Sequence, residues 1–217
     1  MSWSELYASR KAVRRRYRRV WNVPLARRCS DVARDALTDG MCVIEIGAGD
    51  RRLGGRLRKW FPRLIYESVD IDRRLPHDYY SMDEVAGPYD AAILFEVLEH
   101  LPLEEGRHLL LSTGRVLRPG GVLLVSTPNV FNPSRFWRDA THAVAYAYDE
   151  LGGLITMSGF ELRRLVRVHN DSFFRLLLRR YVFAWLFRLL NLDFANSIVA
   201  VAERPMVDAP RQLGRAE

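Results

Sequence analysis

The eight residues at positions 43–50, Val-Ile-Glu-Ile-Gly-Ala-Gly-Asp, constrain the fold of this chain more than any other stretch. An apolar run leads into two glycines, Gly47 and Gly49, and a helix-compatible stretch begins at Leu53. Glycines in a strand-to-helix turn let the backbone bend tightly and come close to a ligand. The octet therefore predicts a strand, a ligand-binding turn and a helix, in that order.

Apolar segments with strand character alternate along the chain with segments of helical spacing. The predicted strands are 41–46, 64–70, 90–95, 121–126, 160–168 and 196–203, and the predicted helices are 4–20, 25–38, 52–60, 103–117 and 148–158. The stretch 72–88 is predicted to be a polar connection, and 127–138 a loop. Alternation of this kind predicts a parallel sheet with helices on both faces.

Acidic and turn residues follow these strands in a recognisable order. The motifs are Glu-Ser-Val-Asp-Ile-Asp (67–72), Asp-Ala-Ala-Ile-Leu-Phe-Glu-Val-Leu-Glu-His-Leu (90–101) and Leu-Arg-Pro-Gly-Gly-Val-Leu-Leu-Val-Ser-Thr-Pro-Asn (117–129). Together with the octet, over about residues 40–204, they resemble the class I S-adenosylmethionine-dependent methyltransferases. The resemblance implies an α/β, Rossmann-like, doubly wound sheet of seven strands. It is mostly parallel, with one antiparallel last strand inserted between 121–126 and 160–168, and with helices on both faces.

This interpretation divides the chain into three parts. Residues 1–39 form a basic N-terminal helical arm, and 40–204 form the methyltransferase domain. Within the domain, 172–190 is an apolar helical insertion before the last strand. Residues 205–217 are a C-terminal tail.

The resemblance implies S-adenosylmethionine as cofactor. The predicted binding residues are Glu45, Gly47, Ala48, Gly49, Asp70, Ile71, Met82, Asp83, Phe95, Glu96 and Val97. Asp70 carries the strongest argument, because an acid at the carboxyl end of this strand can accept hydrogen bonds from both ribose hydroxyls. One departure stands at Arg51, where the family often has a third glycine; its side chain either points to solvent or crowds the site. Arg52 likewise replaces the third glycine of a dinucleotide-binding turn.

Methylation of an oxygen usually requires removal of its proton, and histidine is the natural base near neutral pH. His100 follows the third apolar strand, beside the predicted sulfonium. His142 lies in Ala-Thr-His-Ala-Val-Ala-Tyr-Ala-Tyr-Asp-Glu-Leu (140–151), which resembles a segment of ubiquinone-type and related small-molecule O-methyltransferases. We predict these two as catalytic candidates, with a structural loop role as the alternative for each. His77, His108 and His169 are predicted to be structural.

Several acceptor chemistries are disfavoured by what the sequence contains. Base-amino methyltransferases carry Asn/Asp-Pro-Pro-aromatic where this chain has Phe-Glu-Val-Leu-Glu, and Cys29 and Cys42 do not fit the nucleophile of cytosine-C5 enzymes. The sequence shows no zinc ligand set, so no metal site is predicted. The two cysteines offer no disulfide framework and the N-terminus has no apolar signal core, which favours a cytoplasmic location.

The charge distribution suggests partners. The whole chain carries +7, whereas residues 1–28 hold nine Lys or Arg against the single acid Glu5. Such an arm suits nucleic-acid or lipid phosphates, unless it is an amphipathic helix docked on the domain. The apolar segment 172–190 is shorter than a membrane span. It is either buried in its own fold or a homodimer interface, or inserted at the inner membrane face or over a greasy substrate.

We therefore predict a methyltransferase acting on oxygen of a small molecule, a glycan or a lipid-linked intermediate. A nucleic-acid or protein methyltransferase that docks through the basic arm is one alternative, and nucleic acid is the less favoured partner. A non-catalytic protein that binds S-adenosylmethionine is another. The fold alone does not choose among them.

Overall fold

The computed structural model describes residues 3–206, so most of the predicted C-terminal tail lies outside the described residues. The helices are α1 Trp3–Arg16, α2 Cys29–Ala36, α3 Arg52–Trp60, α4 Leu103–Val116, α5 Pro133–Phe136, α6 Tyr148–Met157, α7 Phe173–Leu177 and α8 Ala184–Leu189. The strands are β1 Leu25–Ala26, β2 Cys42–Ile46, β3 Ile65–Val69, β4 Tyr89–Phe95, β5 Leu117–Pro128, β6 Glu161–Val168 and β7 Ser197–Glu203. A π-helical turn, Leu178–Val182, joins α7 to the start of α8.

The seven strands form one sheet in the order β1-β6-β7-β5-β4-β2-β3. Strand β7 runs antiparallel to both neighbours, β5 and β6, and all other pairs are parallel. The predicted Rossmann-like sheet and the position of its antiparallel strand are thus confirmed. The chain passes from β2 outward to β3 and then returns to β4 on the other side of β2. Ligands of doubly wound sheets bind at such a reversal, outside the carboxyl ends of the strands.

The strand that completes the sheet, β1, lies in a stretch that the sequence predicts to be helical. Leu25 and Ala26 were predicted to begin a helix, but they pair in parallel with the end of β6, and α2 begins only at Cys29. Arg167 donates its amide to the Pro24 carbonyl (2.7 Å), and His169 donates to that of Ala26 (3.1 Å). The stretch 72–88 contributes one isolated bridge, between Val69 and Tyr79, and a short 3₁₀ turn.

Alternating residues of the central strands supply two apolar layers, one on each face of the sheet. On β4, Ile93 packs with Leu57 and Leu124 on one face, while Leu94 packs with Leu110 and Leu154 on the other. All six side chains are fully buried. Because both faces of the sheet are covered, the strands read as continuous apolar runs.

Helix α1 packs against α6. The Val13 side chain is buried and would meet a Cβ at Gly152 only 2.9 Å away, so the glycine permits the close approach. Arg10 and Arg14 both donate to the buried carboxylate of Asp149, at 3.1 and 2.7 Å. The basic arm is therefore held on the domain through α1, and part of its charge is paired there.

Candidate functional site

The glycine turn after β2 is shaped by close contact with the end of β4. Gly47 and Gly49 have φ angles of +74° and +48°, a region that favours glycine. A Cβ at Gly47 would lie 2.4 Å from Cγ2 of Val97, whereas one at Gly49 would meet nothing within 4 Å. The turn therefore requires glycine at 47 for packing and leaves open space beside Gly49.

A cavity of about 820 Å³ opens at this turn, where the sheet order reverses. Of the predicted cofactor residues, seven line it: Gly47, Asp70, Ile71, Met82, Asp83, Glu96 and Val97. Asp70 is fixed from both sides, because its Oδ2 accepts from the Gly49 amide (2.7 Å) and its Oδ1 from the Asp72 amide (2.9 Å). Its carboxylate is thereby held at the rim of the glycine turn.

Arg51 adopts a left-handed φ of +58°. Its guanidinium donates to the Pro76 carbonyl (3.0 Å) and the Asp78 carboxylate (3.1 Å), and it lies 5.7 Å from the centre of the Tyr66 ring. These contacts direct the side chain away from the cavity. The Arg51 side chain therefore does not crowd the site, which was one of the two alternatives predicted for this position.

A second cavity, of about 600 Å³, is lined by three of the predicted cofactor residues, Glu45, Ala48 and Phe95. Four exposed arginines of the arm and α3 also line it: Arg27, Arg28, Arg52 and Arg56. The Glu45 carboxylate is buried and accepts a hydrogen bond from the Tyr66 hydroxyl, which ties β2 to β3. Burial raises the pKa of Glu45 to about 7. The hydrogen bond holds the Glu45 carboxylate at the strand that leads into the glycine turn.

Glu96 stands at the end of β4 with a φ of +56°, which is strained for a residue with a side chain. Ser126 fixes it from the neighbouring strand, since its hydroxyl donates to Oε1 of Glu96 (2.7 Å) and accepts from the Glu96 amide (3.1 Å). Loss of hydration at the cavity wall raises the pKa of this carboxyl, although the residue as a whole is exposed. The strained backbone places Glu96 at the boundary between strand and cavity.

His100 and His142 meet although 41 residues separate them. The amides of Ala143 and Val144 both donate to the Glu99 carbonyl, at 2.7 and 3.1 Å, and so fold the loop after α5 onto the turn after β4. The two imidazole rings lie 4.8 Å apart, edge to face, and His100 lines the larger cavity. The structure therefore brings both predicted catalytic candidates to one place beside the predicted cofactor site.

Hydrogen bonds set the proton positions on both rings. His142 Nδ1 lies 2.8 Å from the Phe136 carbonyl oxygen, which only accepts, so Nδ1 carries the proton. The Thr141 hydroxyl donates to Asp139 (2.7 Å) and therefore accepts from His100 Nδ1 (2.9 Å). In the neutral form, both rings then present an unprotonated Nε2.

Glu99 was not among the predicted residues, yet it adjoins both histidines. Its side chain is fully buried, and neither carboxyl oxygen has a hydrogen-bond partner among the described residues. Burial, reinforced by the charge of Glu96, raises the pKa of Glu99 to about 8. One ligand atom each from Glu99, His100 and His142 lie within 4.8 Å of one another, so this set has the donor types that bind a divalent cation.

The other three histidines occupy different surroundings. His77 is half-buried with Nδ1 3.4 Å from the Ser68 hydroxyl, and His169 is buried and accepts from the Asp171 amide. Both fit the predicted structural role. His108, also predicted to be structural, instead lines the larger cavity from α4. His108 lies one helical turn after Glu104, so it stands on the wall that faces the cofactor residues.

Comparison with known proteins identifies this arrangement. A family model described as a methyltransferase domain matches residues 14–170. The chain belongs to this methyltransferase family. No curated protein matches this chain.

Solved structures agree at the level of fold. An S-adenosylmethionine-dependent methyltransferase from Archaeoglobus fulgidus is 16% identical over 94% of this chain and 100% of its own, with a TM-score of 0.63. One from Methanosarcina mazei is 14% identical over 81% and 98%, with a TM-score of 0.58. A cyclopropane synthase from Mycobacterium tuberculosis is 14% identical over 81% and 82%, with a TM-score of 0.57. The fold thus serves more than one kind of reaction.

The protein is a methyltransferase of this family, and its larger cavity fits S-adenosylmethionine. The volume lies in the range of small-molecule sites. Asp70 suits the ribose hydroxyls, the exposed Ile71 and half-buried Met82 offer apolar surface for the adenine, and Gly47 and Glu96 border the remaining space. A side chain at Gly47 would be forced into Val97, so the approach of the backbone to a ligand depends on that glycine.

Proposed function

We propose that this methyltransferase transfers a methyl group to a hydroxyl oxygen of a small molecule, a glycan or a lipid-linked intermediate. The observation that carries the proposal is a pair of imidazoles 4.8 Å apart, of which His100 lines the cofactor cavity and His142 packs against it with its Nε2 4.0 Å from the Asp139 carboxylate. Bound S-adenosylmethionine supplies an electrophilic methyl group on a sulfonium. A group that removes the acceptor proton beside it is what an oxygen acceptor requires.

His142 is the proposed general base. Its ring is held by the Phe136 carbonyl and its side chain is only 7% exposed, so it is both oriented and shielded from water. In the transfer, the acceptor O–H bond would break as the new O–C bond forms and the S–C bond of the sulfonium breaks, so that S-adenosylhomocysteine leaves and the proton moves to Nε2 of His142. The Phe136 carbonyl stabilises the imidazolium through the Nδ1 proton. His100, at 4.8 Å between ring centres, positions the acceptor hydroxyl.

The placement of the N-terminal arm favours such an acceptor over a nucleic acid or a protein. Arg10 and Arg14 are paired with Asp149 and Val13 is buried, so this part of the arm is committed to the domain. The large cavity is bordered by apolar and acidic residues, among them Leu101, Leu109, Glu104 and Glu105. A polyanion would meet repulsion at that wall.

The test follows a tritium-labelled methyl group from S-adenosylmethionine into a cell extract, which is separated into solvent-soluble, glycan, nucleic-acid and protein fractions. We expect the label in the solvent-soluble or glycan fraction, in an alkali-stable methyl ether. His142→Ala should lower the rate by ~10²–10⁴-fold with little change in affinity for S-adenosylhomocysteine. His77→Ala, which alters a histidine outside the cluster, serves as the control and should leave the rate unchanged.

Two results would overturn the proposal. Label found in nucleic acid or protein would assign a different acceptor. Loss of activity with EDTA, restored by Mn²⁺ in the wild type, would mean that Glu99, His100 and His142 act as a metal centre rather than through a free histidine base. A rate that survives EDTA and falls in His142→Ala supports the base.

A further inference from the structure

The apolar segment, residues 172–190, covers a surface rather than a core. Its largest side chains are exposed, with Phe173 at 82%, Tyr181 at 68%, Trp185 at 63% and Leu189 at 72%. Of the alternatives given for this segment, burial within its own fold is therefore wrong. Contiguous apolar patches of this kind mark sites where a protein meets another surface. No helix among the described residues is long and apolar enough to span a membrane.

Beneath the apolar segment lies a cavity of about 660 Å³. Four arginines line it, namely Arg167, Arg179, Arg180 and Arg188, together with the aromatic side chains of Trp21 and Phe187. The segment is anchored over this cavity, since Trp21 donates its indole N–H to the Leu192 carbonyl (3.0 Å). An exposed apolar surface and a strongly basic cavity thus adjoin each other.

The charge of this cavity is only half compensated. Arg167 pairs with the buried Asp193 (2.7 Å), and Arg179 pairs with Asp171 (3.0 Å). Within the described chain, no carboxylate pairs with Arg180 or Arg188. Residues 172–192 contain no Asp or Glu at all. Arg167, Arg180 and Arg188 line one cavity, and burial lowers the pKa of Arg167, which the like charges of Arg180 and Arg188 lower further.

We propose that this surface docks the methyltransferase on an anionic membrane: the apolar segment enters the lipid interface, and Arg180 and Arg188 receive the phosphate of a lipid headgroup in the cavity behind it. Phe, Trp and Leu side chains beside arginines are typical of helices that lie in the membrane surface. Guanidinium groups bind phosphate through paired, charge-assisted hydrogen bonds. A phosphate would supply the negative charge that the cavity lacks.

A second copy of the chain is a poorer occupant of the same surface. In a symmetric dimer the same patch faces itself. The apolar segment carries unpaired Arg180 and Arg188 and no acid, so such a dimer would bring like charges together. An anionic lipid surface instead provides both an apolar phase and the opposite charge.

The docking surface is connected to the catalytic cluster through short contacts. Asp193, three residues beyond the apolar segment, accepts from the Asn129 side-chain amide (2.8 Å) and donates its backbone N–H to the Phe131 carbonyl (2.7 Å). The same loop continues to Phe136, whose carbonyl holds His142. A lipid-borne acceptor would therefore arrive on the side of the base. This last step rests on the proposed function, whereas the docking itself does not.

Vesicle flotation with the full chain, without cofactor or acceptor, tests the docking. We expect binding to vesicles that contain phosphatidylglycerol, little binding to pure phosphatidylcholine vesicles, and weakening by salt. Each removed arginine should weaken the partition about fivefold, so Arg180→Ala with Arg188→Ala should weaken it on the order of 25-fold. The charge-matched control is Arg56→Ala with Lys59→Ala, on the exposed side of α3, and it should bind nearly as the wild type does.

Insertion is tested separately at Trp185. Trp185→Asp should abolish binding, whereas Trp185→Leu should retain most of it, and equal melting temperatures would show that both variants fold. Failure of the wild type to bind anionic vesicles overturns the proposal, as does an equal loss in the α3 control. So does a stable dimer, or RNA binding, in place of vesicle binding. Because no methyl transfer is measured, these outcomes are distinguishable from failure of the proposed reaction.

Discussion

Glu45 and Tyr66 form a buried pair at the glycine turn, and the pair makes stability depend on pH. The pKa of Glu45 in the folded protein is about 7, above the ordinary value of 4.5, because its carboxyl is buried. A carboxyl whose pKa is higher in the folded than in the unfolded state adds its whole contribution to stability at pH values below the unfolded-state pKa. That contribution is lost as pH rises through the folded pKa.

Glu45→Gln should remove this dependence. Glutamine keeps an oxygen that accepts from the Tyr66 hydroxyl but cannot ionise. Between pH 5 and pH 8 the wild type should lose ~2 kcal/mol more unfolding free energy than the variant, after a reduction for partial hydration of the site. Urea unfolding of both proteins at the two pH values measures the difference. Parallel pH profiles would contradict it.

Individual site residues were predictable where a motif fixed their position. Gly47, Asp70, Glu96 and Val97 follow strand ends, and the sheet carries such ends to one edge. Glu99 was missed, because its importance arises from burial, and burial depends on the loop at 139–144 folding over it. No local pattern in the sequence encodes a contact between segments 40 residues apart.

The bounds of the helices were predicted from the sequence more accurately than those of the shortest strand. Helices α3 and α4 lie within one residue of their predicted bounds, since an apolar stripe and a turn define each of them. Strand β1 was missed because two residues cannot show alternation, and only pairing with β6 makes them a strand. The apolar segment was recognised as helical, but whether its side chains are buried depends on the tertiary structure.

Helix α1 is attached to α6 through an asymmetric ion cluster. Asp149 is 2% exposed, whereas the side chains of Arg10 and Arg14 are 23% and 51% exposed. Loss of the carboxylate leaves two arginines that can turn to water. Loss of both arginines leaves a buried charge with no compensation, which costs more.

Asp149→Asn should therefore lower the unfolding free energy by only ~1 kcal/mol, and Arg10→Met with Arg14→Met by ~3 kcal/mol. Lys11→Ala, on the exposed side of the same helix, should have almost no effect. Urea unfolding at neutral pH measures all three variants. An equal cost for the first two would mean that Asp149 is hydrated when α1 carries no arginine there.

For the molecule as a whole, the cofactor cavity couples binding to folding, because it exists only where β2, β3 and β4 meet. A ligand that binds only the folded state stabilises it by mass action. S-adenosylhomocysteine at 100 times its Kd should add ~2.7 kcal/mol. For a domain of this size that raises the melting temperature by roughly 5–10 °C. NAD should give no shift.

Asp70→Asn should remove most of this stabilisation. The amide oxygen can still accept from the Gly49 or Asp72 amide, which preserves the turn, but the charge that binds two ribose hydroxyls is gone. Asp83→Asn changes another cavity carboxylate, next to Met82, and should cost less of the shift. Differential scanning calorimetry of the three proteins with and without ligand decides the matter. A full shift in Asp70→Asn would place the ribose elsewhere in the cavity, and would remove the main reason for assigning the adenosine to the end of β3.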